Sequence, residues 1–377
     1  MASVAHLDRR RFLLAAAAAG AGCRRRAEGF PGYAFVANSA GRAVAVVDLG
    51  AFAVARHILL DADPVQVVSA PGRPAVIALT PATAALHEID TTALAPARRL
   101  ACPPGSDSMR LAAATRRLWV LSRAGRRLWG VDADAMEPAG EHPLPSPPAD
   151  WAVSPDGRRA AFALGPEPAF ALLDLDSGRL ARYPTGGTSA DLVCFRPDGR
   201  QVLVGDRAER RLTIAETDSG RVLVHLPLAV APRHFCFKRD GGELFVTGEG
   251  MDAVVTVHPY QTQIASTTLA GRRPGAMAAS REFLFVANPG ASTVTVLDIV
   301  TRRVAAAVPV GAYPCHISVT PGDQYALVLN RDSGDMAVIR IETLSGRRRR
   351  MAPLFMMVPV GSRPIDAVVR PVEPAGA

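Results

Sequence analysis

Histidine and aspartate recur at equivalent positions of a repeat in this chain of 377 residues. Asp150, His234, His316 and Asp366 each lie two residues after a position that is most often proline. Imidazole and carboxylate groups that converge can hold a metal ion, bind a polar ligand or transfer protons. Gln66 has the same position in the repeat, so these five residues are the candidate ligand-binding residues. Among them, His234, His316 and Asp366 are the candidate ligands of a metal ion.

The remaining equivalent positions weaken the case for a metal. The full set reads Gln66, Ser108, Asp150, Leu192, His234, Ala276, His316 and Asp366. A mixed set without tight ligand spacing is a weak metal signal, and such side chains can equally bond neighbouring strands or channel water. The sequence has no C-x-x-C pair, haem-attachment site, phosphate loop or G-x-S-x-G elbow. No cofactor is therefore predicted, and a metal ion is left open.

The repeat has a period of about 42 residues, and an aspartate marks it most clearly. Asp48, Asp90, Asp132 and Asp174 each close a short apolar run, and the pattern continues to the end of the chain. An aspartate at a strand end can accept backbone N–H bonds in the following turn. Copies that face different directions around a ring cannot converge on one substrate. We therefore interpret these aspartates as turn-forming residues rather than catalytic ones.

Each unit contains four short β-rich runs separated by turns, which is typical of a β-propeller blade. The sequence predicts an all-β fold, a single propeller over residues 33–372, with eight blades favoured and seven as the alternative. The last run, Pro364–Arg370, can pair with the first and close the ring. The predicted units span residues 33–74, 75–117, 118–159, 160–201, 202–243, 244–283, 284–324 and 325–372.

Several segments resemble the YVTN-repeat β-propellers of exported bacterial and archaeal proteins. The resemblance covers nearly the whole mature chain and implies the propeller fold. It implies little about function, since most members of that family have no known activity. Similar propellers include lactone hydrolases and haem-binding or dehydrogenase subunits. The segments that carry the resemblance are Phe35–Asn38, Phe285–Asn288, Val328–Asn330, Val294–Asp298, Val308–Gly311 with Pro314, and Pro359–Gly361 with Pro364.

The net charge of +8 is concentrated in three places: the N-terminal segment, Arg24–Arg26 and Arg347–Arg350. The rest of the chain is nearly neutral, which argues against a groove that follows nucleic-acid phosphates. We therefore expect no nucleic-acid partner.

The N-terminus predicts export. Arg9–Leu13 matches a twin-arginine signal, and the apolar run that follows to Gly22 is too short to span a bilayer. Residues 1–22 are predicted to be the signal, 23–32 a linker and 373–377 a tail. Small residues precede Cys23, which resembles a lipobox and predicts a lipid anchor there. The alternatives are an ordinary N-terminal helix, or cleavage that leaves a soluble periplasmic protein.

Two functional classes fit the sequence. The favoured hypothesis is a monomeric cell-envelope propeller that binds a protein partner or a small ligand at the channel mouth and is held at the membrane by its lipid anchor. The alternative is a propeller enzyme, either a lactonase-like hydrolase or an oxidoreductase subunit, whose site lies at the channel mouth. The arc His234–His316–Asp366 is the only catalytic candidate that the sequence offers.

Overall fold

A computed structural model describes residues 29–345 and 352–372. The predicted signal, Cys23, the Arg347–Arg350 run and the tail lie outside the described residues. Among the described residues, no helix has the length and apolar character needed to cross a bilayer.

The described chain consists of short strands and two 3₁₀ turns, Pro81–Thr83 and Ile341–Thr343. The first sixteen strands are β1 (Gly32–Asn38), β2 (Ala43–Asp48), β3 (Ala53–Leu59), β4 (Gln66–Ser69), β5 (Ala75–Thr80), β6 (Ala85–Asp90), β7 (Ala95–Ala101), β8 (Ser106–Ala112), β9 (Arg117–Ser122), β10 (Arg127–Asp132), β11 (Glu137–Pro143), β12 (Asp150–Val153), β13 (Arg159–Ala163), β14 (Ala169–Asp174), β15 (Leu180–Pro184) and β16 (Leu192–Phe195). The remainder are β17 (Gln201–Asp206), β18 (Arg211–Glu216), β19 (Val222–Pro227), β20 (Ala231–Phe237), β21 (Leu244–Glu249), β22 (Ala253–His258), β23 (Gln263–Leu269), β24 (Met277–Ala279), β25 (Phe283–Asn288), β26 (Thr293–Asp298), β27 (Val304–Pro309), β28 (Pro314–Val319), β29 (Tyr325–Asn330), β30 (Asp335–Arg340), β31 (Leu354–Pro359) and β32 (Pro364–Pro371).

These strands form eight antiparallel sheets of four strands, so the eight-bladed prediction is confirmed and the seven-bladed alternative is wrong. Blade one has the order β32-β1-β2-β3, and blades two to eight follow as β4–β7 through β28–β31. Each sheet begins one strand earlier than the repeat unit drawn from the sequence. The reason is the closure: the C-terminal strand β32 supplies the innermost strand of blade one, and Tyr33 pairs with Arg370.

The core lies between the blades. Each of the eight apolar clusters joins two neighbouring blades, and together they complete the ring. Trp119 and Trp151 pack between blades three and four. Every blade therefore buries both of its faces, which explains why the second and third strands are continuous apolar runs rather than alternating ones.

The recurring aspartates form turns, as predicted. The Asp90 Oδ1 atom accepts from the N–H groups of Thr92 at 2.7 Å and Ala93 at 2.8 Å. Asp48, Asp132 and Asp174 make the same pair of bonds. They end the third strand of each blade, so they fix the turn to the outermost strand.

A glycine in the loop before a blade packs against an asparagine at the end of the second strand of that blade. A Cβ on Gly361, whose φ is +120°, would lie 2.7 Å from Nδ2 of Asn38. The same Nδ2 donates to the Val360 carbonyl at 2.8 Å. Gly271 and Gly311 lie against later asparagines of the same type. The loop into each of these three blades must pass so close to the end of the second strand that only glycine fits there.

Candidate ligand sites in the central channel

The innermost strands line a central channel. Gln66 and Asp150 begin β4 and β12, whereas His316 and Asp366 are the third residues of β28 and β32. These four side chains are partly exposed although they lie near the axis of the molecule. The channel is therefore open to water along the ring of candidate residues.

Three of the five candidates bond to the next blade. Asp366 Oδ2 accepts from the Val67 N–H at 2.9 Å, and Asp150 Oδ2 accepts from the Val193 N–H at 3.0 Å. The Gln66 Oε1 atom accepts from Met109 N–H at 2.9 Å. Each bond joins neighbouring innermost strands. These carbonyl and carboxylate oxygens satisfy N–H groups that point away from their own sheets.

Enclosure in the channel raises the pKa of the Asp150 and Asp366 carboxyl groups, because burial disfavours the charged form. Arg110, on the innermost strand of blade three, opposes this effect at both carboxylates. Its guanidinium carbon lies 5.5 Å from the centre of the Trp151 ring. Arg110 is thus a channel residue that the sequence pattern of His and Asp did not indicate.

His316 and Asp366 are neighbours, as blade order predicts. His316 Nδ1 lies 3.3 Å from Asp366 Oδ1. On its other side, His316 Nε2 lies 2.8 Å from Ser318 Oγ. In the sequence, only the spacing H-x-S on one strand indicates the contact of His316 with Ser318. That spacing becomes informative once Asp366 is known to be adjacent.

His234 does not join them. No group of three His, Cys, Asp or Glu side chains within residues 29–345 and 352–372 is arranged to hold a metal ion. The candidate metal ligands His234, His316 and Asp366 are therefore not grouped around one point in the described residues, and a metal ion in the channel stays a prediction. In the order of the ring, Ala276 lies between the two histidines, directly before the innermost strand of blade seven.

His234 instead lines a cavity of about 400 Å³ at the end of the channel where the innermost strands begin. We call it the mouth cavity; it lies over blades six to eight, and pockets for small organic ligands span roughly 300–1,000 Å³. His234 is exposed to solvent, although protein atoms surround part of its imidazole. This desolvation, reinforced by the Arg233 charge, lowers the pKa of His234. The lining of the mouth cavity also includes Arg233, Glu249, Asp252, Arg273, Tyr313 and Cys315.

Charged side chains of both signs line the mouth cavity. Arg233 pairs with Glu249, and this contact lowers the pKa of the Glu249 carboxyl. Asp252 Oδ1 accepts from the Arg273 backbone N–H at 2.8 Å, which holds the loop that carries Arg273. Tyr313 adds an aromatic ring to the lining, with the Arg331 guanidinium stacked 3.7 Å from its centre. The wall therefore offers an imidazole, an aromatic ring, two guanidinium groups and the two carboxylates of Glu249 and Asp252.

A second cavity, of about 370 Å³, lies where the innermost strands of blades seven, eight and one end. We call it the lower cavity. Ala278, Ile317, Ser318, Val319 and Val368 line it, and an ion pair of Arg239 with Asp323 at 3.0 Å borders it. Blade seven contributes only small side chains here, which leaves this side of the channel open.

The fold and the channel place the chain in one class, the eight-bladed β-propellers. A family model described as "Lactonase, 7-bladed beta-propeller" matches residues 186–357, which cover blades five to eight. No protein with a curated description matches the chain significantly.

Two solved structures are similar in fold. One is "Dihydro-heme d1 dehydrogenase NirN in complex with DHE", at 16% identity and a TM-score of 0.71, covering 93% of this chain and 78% of that one. The other is the hydrazine synthase of Kuenenia stuttgartiensis, at 17% identity and a TM-score of 0.57, covering 74% of this chain and 95% of that one. At these identities the likeness concerns the propeller alone.

Proposed function

We propose that this protein is an oxidoreductase-type propeller that binds a carboxylated, haem-like ligand in the mouth cavity. The observation that carries the proposal is the imidazole of His234 in a cavity of about 400 Å³. The surrounding protein disfavours the protonated form of this solvent-exposed side chain, and a neutral imidazole is the form that can ligate a metal at the centre of a macrocycle.

The charges of the cavity fit the same class of ligand. Arg273 lines the cavity and can pair with a carboxylate group on the edge of a macrocycle, since guanidinium groups bind carboxylates with two parallel bonds. Arg233 can do so by exchanging its present partner, Glu249. Tyr313 can pack against the ring face. When bound, such a group would supply redox chemistry, while these residues would bind and orient it. The likeness in fold to NirN supports the choice of ligand class, because that protein is a dihydro-heme d1 dehydrogenase.

The test is a titration of the full-length protein with hemin, followed by the absorption change of the bound ligand. We expect one site per chain, and we expect His234→Ala to alter the spectrum and weaken binding by about tenfold or more. Arg273→Ala should weaken binding without changing the ligation spectrum. The control is His57→Ala on the outer strand β3, which removes an exposed imidazole outside the channel. Equal spectra and affinities for His234→Ala and the wild type would overturn the proposal.

We also propose that the protein is exported and anchored at Cys23 by lipid. Support comes from the Arg9–Leu13 signal and from the small residues before Cys23. An anchored propeller would present its channel to partners in the cell envelope. Mass spectrometry of the mature N-terminus tests this proposal, and an unacylated peptide that begins elsewhere would end it.

A further inference from the structure

Three channel side chains lie next to one another outside the mouth cavity, joined by one hydrogen bond and one ion-pair contact. Ser318 Oγ lies 2.8 Å from His316 Nε2, and His316 Nδ1 lies 3.3 Å from Asp366 Oδ1. Hydroxyl, imidazole and carboxylate in this order are the arrangement that activates a serine for attack on a carbonyl carbon. Such sites are recognised by geometry rather than by position in the sequence.

The neighbours of His316 favour one tautomer of its imidazole. An ionised Asp366 carboxylate, with Oδ1 3.3 Å from His316 Nδ1, favours the proton on that nitrogen. Nε2 is then an acceptor, and the Ser318 hydroxyl donates to it. A competing acceptor for that hydroxyl, the Ala367 carbonyl oxygen, is farther away at 3.4 Å. This tautomer of the imidazole can take the serine proton.

Ser318 is the member of this group of three that faces open space. It lines the lower cavity, whereas His316 and Asp366 are not part of that lining. Ala278 and Val368 form neighbouring walls of this cavity of about 370 Å³, and the ion pair of Arg239 with Asp323 borders it. A volume of this size can admit a short acyl ester.

The strand of Ser318 also supplies donors for a developing oxyanion. Thr320 N–H bonds to the Tyr325 carbonyl, so by antiparallel alternation the N–H groups of Ile317 and Val319 point out of the sheet. Equivalent N–H groups, such as that of Val67, bond to a side chain on the preceding blade. For Ile317 that position holds Ala276, which has no acceptor.

We infer that Ser318, His316 and Asp366 form a second site that hydrolyses small acyl esters entering the lower cavity. Ser318 Oγ attacks the ester carbonyl carbon while His316 takes the hydroxyl proton. The C–O bond of the ester breaks, and His316 gives the proton to the departing alcohol. Water then attacks the acyl-serine by the same route, releasing the carboxylic acid and restoring Ser318. The backbone N–H groups of Ile317 and Val319 stabilise the oxyanion.

The first test is covalent labelling of the full-length protein with a fluorophosphonate probe, with the labelled peptide identified by mass spectrometry. We expect the label on Ser318 and its loss in Ser318→Ala. The matched control is Ser108→Ala, which removes another channel hydroxyl that accepts from Trp151 Nε1 at 2.9 Å. Absence of label on Ser318, with the protein shown to be folded by its thermal transition, contradicts the inference.

The second test is the hydrolysis rate of p-nitrophenyl acetate. His316→Ala should lower kcat/KM by about 10²–10⁴, the usual contribution of a general base. Asp366→Asn keeps an acceptor for Val67 N–H but favours the other imidazole tautomer, so it should lower both the rate and the labelling of Ser318. Rates that are unaffected by both variants would overturn the inference. Neither test depends on His234, so the mouth-cavity proposal stands or falls separately.

Discussion

Asp150 accepts a hydrogen bond and also places a charge in a partly buried position. Substitutions of Asp150 can separate the effects of these two properties on stability. Its Oδ2 atom accepts from the Val193 N–H at 3.0 Å, and burial raises the pKa of its carboxyl above the ordinary value of 3.8. Asp150→Ala leaves that N–H unsatisfied in a partly buried place, which costs about 1–3 kcal/mol of unfolding free energy. Asp150→Asn keeps an acceptor of the same shape and removes the buried charge.

The loss of unfolding free energy corresponds to a decrease in Tm that depends on the size of the protein. At about 2.1 cal/mol/K of unfolding entropy per residue, the roughly 340 residues of the propeller lose about 1.4 °C of Tm per kcal/mol. We therefore expect Asp150→Ala to lower Tm by about 1.5–4 °C. Asp150→Asn should be at least as stable as the wild type at neutral pH. Differential scanning calorimetry of the three proteins measures both shifts.

The pH dependence has a defined sign. Because the folded pKa of Asp150 lies above its unfolded value, the folded state binds more protons between these two pKa values. Its contribution to stability is present at low pH and falls as pH rises from about 3.8 through the folded pKa. Asp150→Asn should remove that slope. If Asp150→Ala proves as stable as Asp150→Asn, the carboxylate oxygen is not a needed acceptor and the expected role of Asp150 is refuted.

Three further predictions concern the repeat and its thiols. Asp90→Ala removes two turn bonds and should cost about 1–2 kcal/mol in denaturant unfolding, whereas Asp90→Asn should cost less, since its amide oxygen can still accept. Gly361→Ala should destabilise by about 1–3 kcal/mol, because a Cβ there meets Asn38 at 2.7 Å and φ is +120°; an unchanged chemical-denaturation midpoint would contradict this. Burial raises the pKa of the Cys236 thiol to about 12, so Ellman's reagent should modify it at pH 8 only after unfolding, and rapid reaction of the folded protein would show that the channel wall opens.

The fold could be predicted from the sequence because its information is local and repeated. Each aspartate at a strand end marks the same turn, and the first and last runs together supply one complete blade. The offset between repeat units and sheets also follows once β32 is assigned to blade one. Such a repeat is informative because every blade packs both of its faces against neighbouring blades in the same way.

The candidate sites could be predicted only in part. Blade order placed His316 beside Asp366, and the structure confirms this contact. The sequence could not show which candidate residues bond to the next blade. That depends on which backbone N–H groups point away from their own sheets. Nor could it show the contact of Ser318 with His316 or the mouth cavity, since both depend on side-chain directions and on the small residues of blade seven.

A crystal structure of the full-length protein with bound hemin tests the proposed function most directly. We predict the macrocycle in the mouth cavity over blades six to eight, with His234 Nε2 directed at the metal and the carboxylates near Arg233 and Arg273. A macrocycle bound elsewhere, or one in the mouth cavity with His234 turned away from the metal, would contradict the proposed function.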